Sequence, residues 1–222
     1  MNDVPIEGLP NVISSIYEQH EGSFLVGVLA GLMTKTNTVG FIGGVDIAVI
    51  HAYRIGYHEG VLYANPKAKI LDAFISTGKD FSGFSNPDQG KKLALEHYQQ
   101  GADVIFAAAG LSSNGVIYAA QQQKKFAIGV DSDQDHLAKG YVLTSMMNRL
   151  DQSTFQEISK IVAGEFTPGI KTYGLKKGGV SLSPMKFTKD IIPDNVHQQI
   201  KDAKDKILTG KITVTNYFEQ SQ

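Results

Sequence analysis

The sequence contains no cysteine, which excludes disulfides, thiolate metal sites and a cysteine nucleophile. Net charge is almost absent too, because 21 basic and 22 acidic residues give a formal charge of −1. This balance offers no electrostatic basis for binding nucleic acid or an anionic membrane. Long apolar runs are also missing. The longest, residues 23–33, is about half as long as a membrane span, and we expect a buried helix there.

Targeting and catalytic motifs are not visible in the sequence either. The first residues resemble neither a signal peptide nor a lipid-anchor segment, and they are typical of loop and strand. A nucleophile elbow, a phosphate-binding loop, a dinucleotide-binding glycine motif and a paired-histidine zinc motif are all missing. The sequence therefore favours binding without catalysis, with no catalytic residue, no cofactor and no metal.

The order of the predicted elements indicates an α/β fold. Short runs of β-branched and aromatic residues alternate with segments of helical periodicity, which is typical of a parallel sheet with helices on both faces. Strands are predicted at 39–43, 69–76, 102–108 and 126–131, with helices between them at 47–63, 87–100 and 113–123. Further along, we expect strands at 141–146, 170–175 and 180–182, and helices at 151–164 and 193–210.

Small residues and acids stand where the predicted strands end. In an open parallel sheet, ligands bind beyond the carboxyl ends of the strands. Gly110 follows the strand at 102–108, and Asp131, Asp133 and Gln134 end or follow the strand at 126–131. Glycine lets the backbone approach a ligand, and carboxylates accept hydrogen bonds from it. Helix capping explains acids in such turns as well, and this alternative stays open from the residues alone.

Phe106 raises a similar choice between core and site. It precedes three alanines and a glycine near the end of its predicted strand. Aromatic residues at such positions usually belong to the core. The small neighbours would instead leave one face of the ring open, as stacking on a flat ligand requires.

Five ordered segments resemble the basic membrane protein family, which comprises PnrA-like nucleoside-binding lipoproteins of ABC importers. The segments are EGSFLVGVLAGLMTKTNTVGFIGG (21–44), GADVIFAAAG (101–110), IGVDSDQ (128–134), VLTSM (142–146) and YGLKKGGVSL (173–182). The resemblance runs from about residue 9 to residue 212, which is nearly the whole chain. It implies a type I periplasmic-binding-protein fold, in which two α/β lobes hold a nucleoside in the cleft between them.

The resemblance also implies that the chain starts after a segment that forms half of the nucleoside site. The first lobe would then be incomplete. Residues 1–36 and 136–165 would belong to it, residues 37–135 and 166–190 to a complete lobe, and residues 191–222 to a C-terminal helix and tail. As a consequence, we expect the helix at 23–33 to expose apolar surface.

Site residues follow from the resemblance position by position. Phe106 matches one of two aromatic residues that sandwich the purine, and Gly110 matches a glycine that lets the base lie against the backbone. Asp133 matches the acid that binds the ribose hydroxyls, with Asp131 and Gln134 beside it.

Two positions depart from the family pattern. Leu111 adds bulk where the family usually has glycine, and Asn148 stands where lysine is usual. Asn148 can still donate a hydrogen bond to the ribose, although without charge. Both departures bear on which nucleoside binds.

The function predicted from the sequence is a non-catalytic solute-binding protein of an ABC importer, with a purine nucleoside as ligand and a permease as partner. By family it would be a membrane-anchored lipoprotein, or extracellular or periplasmic. A homodimer could form through the exposed part of the incomplete lobe. Two alternatives stay open, a ligand-sensing regulatory protein and a nucleoside-processing enzyme. The absence of a helix-turn-helix and of a basic stripe counts against direct binding to DNA.

Overall fold

The computed structural model describes residues 3 and 5–219. The strands and helices predicted from the sequence are present, with ends that differ by a few residues. In chain order the elements are β1 (Ile13–Tyr17), α1 (Gln19–Met33), β2 (Thr38–Asp46), α2 (Ala48–Ala64), β3 (Lys69–Thr77), α3 (Pro87–Gln99), β4 (Val104–Ala108), α4 (Ser113–Gln123), β5 (Phe126–Asp131), β6 (Val142–Asn148), α5 (Leu150–Val162), β7 (Gly169–Tyr173), β8 (Val180–Leu182) and α6 (Asp194–Leu208). Short 3₁₀ helices lie at Phe81–Phe84, Gly110–Ser112, Leu175–Lys177 and Tyr217–Glu219.

The larger sheet has the strand order β3-β2-β4-β5-β6-β8, and its neighbouring strands are parallel except for β6 and β8. Helices α1 and α2 cover one face, with α6 packed against α1, while α3 and α4 cover the other. Side chains alternate between these faces along β4, so that Phe106 joins the first core and Ile105 joins the second. The predicted parallel sheet with helices on both faces is therefore confirmed.

Glycines line the contact between α1 and α2 and allow the two helices to touch backbone to backbone. Each helix contributes two glycines spaced four apart, which places the two on one side of the helix. A methyl group on Gly60 would lie 2.9 Å from the backbone nitrogen of Val28 and closer still to the carbonyl of Phe24. The glycines at this contact are Gly27, Gly31, Gly56 and Gly60.

Helix α1 is consequently one of the most buried elements of the chain. The apolar side chains from Phe24 to Ala30 are at most 3% exposed, because α2, α6 and the larger sheet surround them. The buried helix predicted at 23–33 is confirmed, whereas the apolar surface expected to be exposed there is not found. Among the described residues, no helix combines the length and the apolar composition needed to cross a membrane.

A smaller sheet consists of β1 and β7, which pair in parallel. Helix α5 covers one face of it with polar rather than apolar side chains. Ser153 hydrogen bonds to the hydroxyl of Tyr17, and Glu157 accepts a hydrogen bond of 2.6 Å from the hydroxyl of Tyr173. Glu157 also forms an ion pair with Lys171 of β7. Burial acts to raise the pKa of Glu157, but the donors around the carboxylate outweigh it and lower the pKa to about 2.

The apolar side of α5 faces solvent. Phe155 is 71% exposed, Ile158 53%, Ile161 48% and Val162 83%. The exposed apolar surface that the sequence suggested for the helix at 23–33 therefore lies on α5, because α5 uses its opposite side to pack against β1 and β7.

The division of the chain into lobes stays a prediction, and the packing favours different boundaries for it. Within residues 1–36, β1 pairs with β7, but α1 packs on α2. Within residues 136–165, β6 belongs to the larger sheet, and only α5 packs on the smaller one. The packing thus favours a larger lobe that includes α1 and β6, and a smaller lobe built from β1, α5 and β7.

Candidate functional site

A cavity of about 280 Å³ opens where the strands of the larger sheet end. Ala108 ends β4, Asp131 ends β5 and Asn148 ends β6, so the parallel order of these strands brings the three residues to one edge. The first turns of α2 form the opposite wall with Tyr53, and the 3₁₀ turn after β3 contributes Phe84.

The polar part of this cavity is a cluster of Tyr53, Asp131 and Asn148. Oδ1 of Asp131 accepts hydrogen bonds from the Tyr53 hydroxyl at 3.3 Å and from Nδ2 of Asn148 at 3.1 Å. Nδ2 of Asn148 also donates to the Tyr53 hydroxyl at 2.7 Å. The protein packed around Asp131 removes solvent from its carboxylate and so raises its pKa, against the effect of these two donors. The cluster can accept hydrogen bonds from a ligand.

The apolar part is formed by Phe84 and glycines. The missing side chain of Gly44 makes room for the Phe84 ring, and Gly110 lies against Phe84 with a φ of +55°, a conformation that favours glycine. The small residues at the strand ends therefore have a structural reason, since they seat an aromatic ring at the edge of the cavity. Phe84 is half-buried, so part of its ring surface remains accessible.

Three of the residues predicted from the sequence line this one cavity: Gly110, Asp131 and Asn148. Asp133 lies further out, in an open groove that adjoins the cavity at Asp131 and Asn148. One of its oxygens accepts a hydrogen bond from the backbone of Asp135 at 3.0 Å.

Gln134 does not face the cavity. Its side-chain oxygen accepts a hydrogen bond of 2.9 Å from the backbone nitrogen of Val130, and its backbone nitrogen donates to Ser145 at 3.0 Å. Gln134 thus ties its loop to β5 through its side chain and to β6 through its backbone. Leu111 also points away, since it is 65% exposed and its bulk does not enter the cavity.

Phe106 is in the core, and the stacking face expected for it is not available in this structure. The ring is fully buried, with its centroid 5.4 Å from that of Tyr57 and 5.8 Å from that of Phe41. It lies in the middle of β4, on the face that α2 covers, and Ala108 follows it on the same face at the cavity. Phe106 therefore supports the floor of the cavity from below.

Sequence reasoning missed Tyr53 and Phe84. Tyr53 belongs to the apolar stripe of α2, where its hydroxyl gave no signal that separates it from a core residue. Phe84 had a signal, because it comes directly before a turn in which Asn86 caps α3 through a 3.1 Å hydrogen bond to Gln89. An aromatic residue in the turn after a parallel strand lies at the ligand-binding edge.

Metal binding finds no support in the described part of the chain. Within residues 3 and 5–219, no three His, Asp or Glu side chains come close enough together to hold a metal ion. Hydrogen bonding to donor groups of an organic ligand is the chemistry that the acceptors in the cavity offer.

Comparison with known proteins shows the family to which the chain is related. A family model described as ABC transporter substrate-binding protein PnrA-like matches residues 2–217. The chain is 38% identical to a CD4+ T-cell-stimulating antigen of Listeria innocua, over 96% of this chain and 62% of that protein. It is 34% identical to the ABC transporter nucleoside-binding protein BmpA of Lactococcus lactis subsp. cremoris, over 96% of this chain and 62% of that protein. The chain thus spans less than two thirds of the length of these relatives.

Solved structures agree on the fold. An ABC transporter solute-binding protein of Aeropyrum pernix superposes with a TM-score of 0.82 at 24% identity, over 97% of this chain and 70% of that one. A transcriptional activator of the comK gene from Bacillus halodurans superposes with a TM-score of 0.81, also at 24% identity, over 92% of this chain and 68% of that one. The solute-binding-protein fold predicted from the sequence is confirmed by these likenesses.

Proposed function

The chain belongs to the family of PnrA-like ABC transporter substrate-binding proteins, and we propose that it binds a purine nucleoside in the cavity at the strand ends. The observation that carries this proposal is that one aromatic ring and one cluster of hydrogen-bond acceptors line the same cavity. Proteins of this family bind substrates without converting them, so the chain is not an enzyme. The nucleoside-processing alternative is therefore set aside.

Each part of a nucleoside has a matching part of the cavity in this proposal. The base stacks on Phe84, an interaction worth about 1–3 kcal/mol per base in proteins that bind single-stranded nucleic acid. Gly110 lets the base lie close to the backbone beside that ring. Asp131, held by Asn148, accepts hydrogen bonds from donor groups of the ligand, and Asp133 in the adjoining groove is available to a ribose that extends outward.

The name of one relative supports the nucleoside part of the proposal, since the Lactococcus protein is called nucleoside-binding. The preference for a purine over a pyrimidine rests on the larger area that a two-ring base stacks on an aromatic side chain.

We further propose a permease of an ABC transporter as partner and uptake as the direction of transport, because the matched family consists of substrate-binding proteins of such transporters. The protein would then act on the outer side of the cytoplasmic membrane, as an anchored lipoprotein or as a periplasmic or extracellular protein. The sequence-level expectation that it does not bind nucleic acid rests on the balanced charge alone.

A homodimer through the smaller lobe is also proposed, with the apolar side of α5 as the contact. Phe155 and Val162 are more than two thirds exposed there, and burying such side chains against a second copy removes apolar surface from water. Light scattering on the purified chain is expected to give twice the chain mass of 24.1 kDa. A single-chain mass at every concentration would contradict the dimer.

Calorimetric titration of the purified chain with adenosine, guanosine, inosine and uridine tests the ligand. We expect the three purine nucleosides to bind with dissociation constants in the micromolar range or tighter, and uridine to bind more weakly. A fusion that adds the unmatched part of the Lactococcus relative is titrated in parallel, because that part can contribute further contacts. Failure of both proteins to bind any nucleoside rules out the proposal and favours a regulatory or structural role.

A further inference from the structure

The cluster of Tyr53, Asp131 and Asn148 allows its hydrogen-bond donors to be counted. An ionised carboxylate only accepts hydrogen bonds, so the amide of Asn148 must present its nitrogen, and not its oxygen, to Asp131. The two protons on that nitrogen are used by Tyr53 and Asp131, and the single hydroxyl proton of Tyr53 is used by Asp131. The three side chains therefore have no donor left over.

The acceptor atoms of the cluster, in contrast, do not all have a hydrogen-bond partner. The two hydrogen bonds to Asp131 go to Oδ1, and Oδ2 has no hydrogen-bond partner among the described residues, on a residue that keeps exposed surface at the cavity although packing removes part of the solvent from its carboxylate. Oδ1 of Asn148 is buried and has no hydrogen-bond partner among the described residues. A ligand that meets this cluster therefore finds Oδ2 of Asp131 as an acceptor and no free donor.

We propose that Tyr53 is a positioning residue that, together with Asn148, engages every donor of the cluster within the cluster and directs two of them to Oδ1 of Asp131, so that the cavity selects a ligand edge carrying hydrogen-bond donors. This inference rests on the proposed function. The donor edge has two possible sources in a purine nucleoside: the vicinal hydroxyls of the ribose, and the ring N–H and amino groups of guanine.

The backbone and the packing explain why Asp131 needs to be held. Its φ is +65°, in the left-handed region that residues other than glycine seldom adopt. Tyr53 is only 5% exposed and its ring lies 6.4 Å from that of buried Phe106, so its hydroxyl is fixed in place by the core. The core therefore determines, through Tyr53, where the carboxylate of Asp131 points.

The matched variants are Tyr53→Phe and Tyr57→Phe. Both remove one hydroxyl from α2, and both rings contact Phe106, but the hydroxyl of Tyr57 is buried without a hydrogen-bond partner among the described residues. We expect Tyr53→Phe to weaken the binding of adenosine and guanosine by about tenfold, the size expected for one hydrogen bond to a charged group. Tyr57→Phe is expected to bind as the unmodified chain does. Equal binding by the two variants would overturn the proposal.

Titrations with different nucleosides distinguish the two sources of donor groups. If the ribose donates to the cluster, 2′,3′-dideoxyadenosine loses affinity in the unmodified chain and loses nothing further in Tyr53→Phe. If the base donates, guanosine shows the larger loss in Tyr53→Phe and the dideoxy compound binds as adenosine does. A ligand without donors that binds as tightly as guanosine contradicts the selection.

A measurement without ligand keeps this inference separate from the proposed function. The carboxyl carbon signal of Asp131, followed by NMR against pH, reports its pKa directly. The hydrogen bond from Tyr53 lowers that pKa, so it is expected to rise in Tyr53→Phe and to stay unchanged in Tyr57→Phe. Other charged groups around the carboxylate are Asp3 near the N-terminus and, in the adjoining groove, Asp133, Arg149 and Asp151. An Asp131 pKa that is the same in both variants would show that Tyr53 does not position it, whether or not nucleosides bind.

Discussion

Substitution of Gly60 by alanine is expected to lower the free energy of unfolding by about 3 kcal/mol and the melting temperature by about 10 °C. Alanine is the better helix former by up to about 1 kcal/mol, and this gain opposes the loss. The loss is larger because the added methyl group meets the backbone of α1 at Phe24 and Val28, which cannot rotate away. The two helices must separate, and contacts in the core around α1 loosen with them. Chemical and thermal denaturation measure the change.

Gly22→Ala is the matched control on α1, at a buried glycine that faces β6 instead of α2. The methyl group added at Gly22 meets only the side chain of Met146, at 3.0 to 3.2 Å. Methionine is flexible and can adopt another rotamer, so we expect a change within about 1 kcal/mol. An equally stable Gly60→Ala protein would show that α1 and α2 can move apart without loss, and that the close backbone contact is not needed.

The sequence predicted the elements of the fold well because local signals and long-range packing agree in them. Strands such as β5 are short, apolar and buried on both faces, and α3 begins at a proline with Asn86 as its cap. The glycine spacing in α1 and α2 was not interpreted from the sequence, because its meaning depends on which helices touch. Only the structure shows that α1 packs on α2 and not on the smaller sheet.

The candidate site was predicted less completely, and the alternation of side chains along β4 explains why the ring of Phe106 lies elsewhere than expected. Successive side chains of a strand point to opposite faces, so the position of Phe106 in the chain did not tell whether its ring reached the edge or stayed under α2. Ala108, two residues later on the same face, is the one that meets the cavity. The aromatic residue at the edge is Phe84, which comes from the preceding turn.

The orientation of α5 could not be deduced from its periodicity. Its apolar and polar sides were both apparent, and an amphipathic helix normally buries the apolar one. In this protein Glu157 is buried instead, because Lys171 and Tyr173 of the neighbouring strand pair with it. Which side packs inward was therefore decided by partners that are distant in the sequence.

Replacing Phe84 by alanine is expected to weaken purine nucleoside binding by about 10- to 100-fold, because the base loses the ring on which it stacks. Phe84→Leu should show a similar loss, since leucine keeps apolar volume but has no flat face. Phe81→Ala is the control: Phe81 lies in the same 3₁₀ turn, with its ring 6.4 Å from that of Phe84, but it is 59% exposed and does not line the cavity. Calorimetric titration of the three variants compares them directly.

The Phe106→Ala variant tests whether Phe106 stacks on the ligand or only supports the floor of the cavity. This change removes a fully buried ring, and we expect it to lower the free energy of unfolding by about 3–5 kcal/mol. If Phe106→Ala weakens nucleoside binding, we expect the protein to lose stability as well. Phe84→Ala, in contrast, should weaken binding while the protein remains folded. Should Phe106→Ala abolish binding in a protein of unchanged stability, its ring would have to reach the ligand, and the assignment of stacking to Phe84 would be wrong.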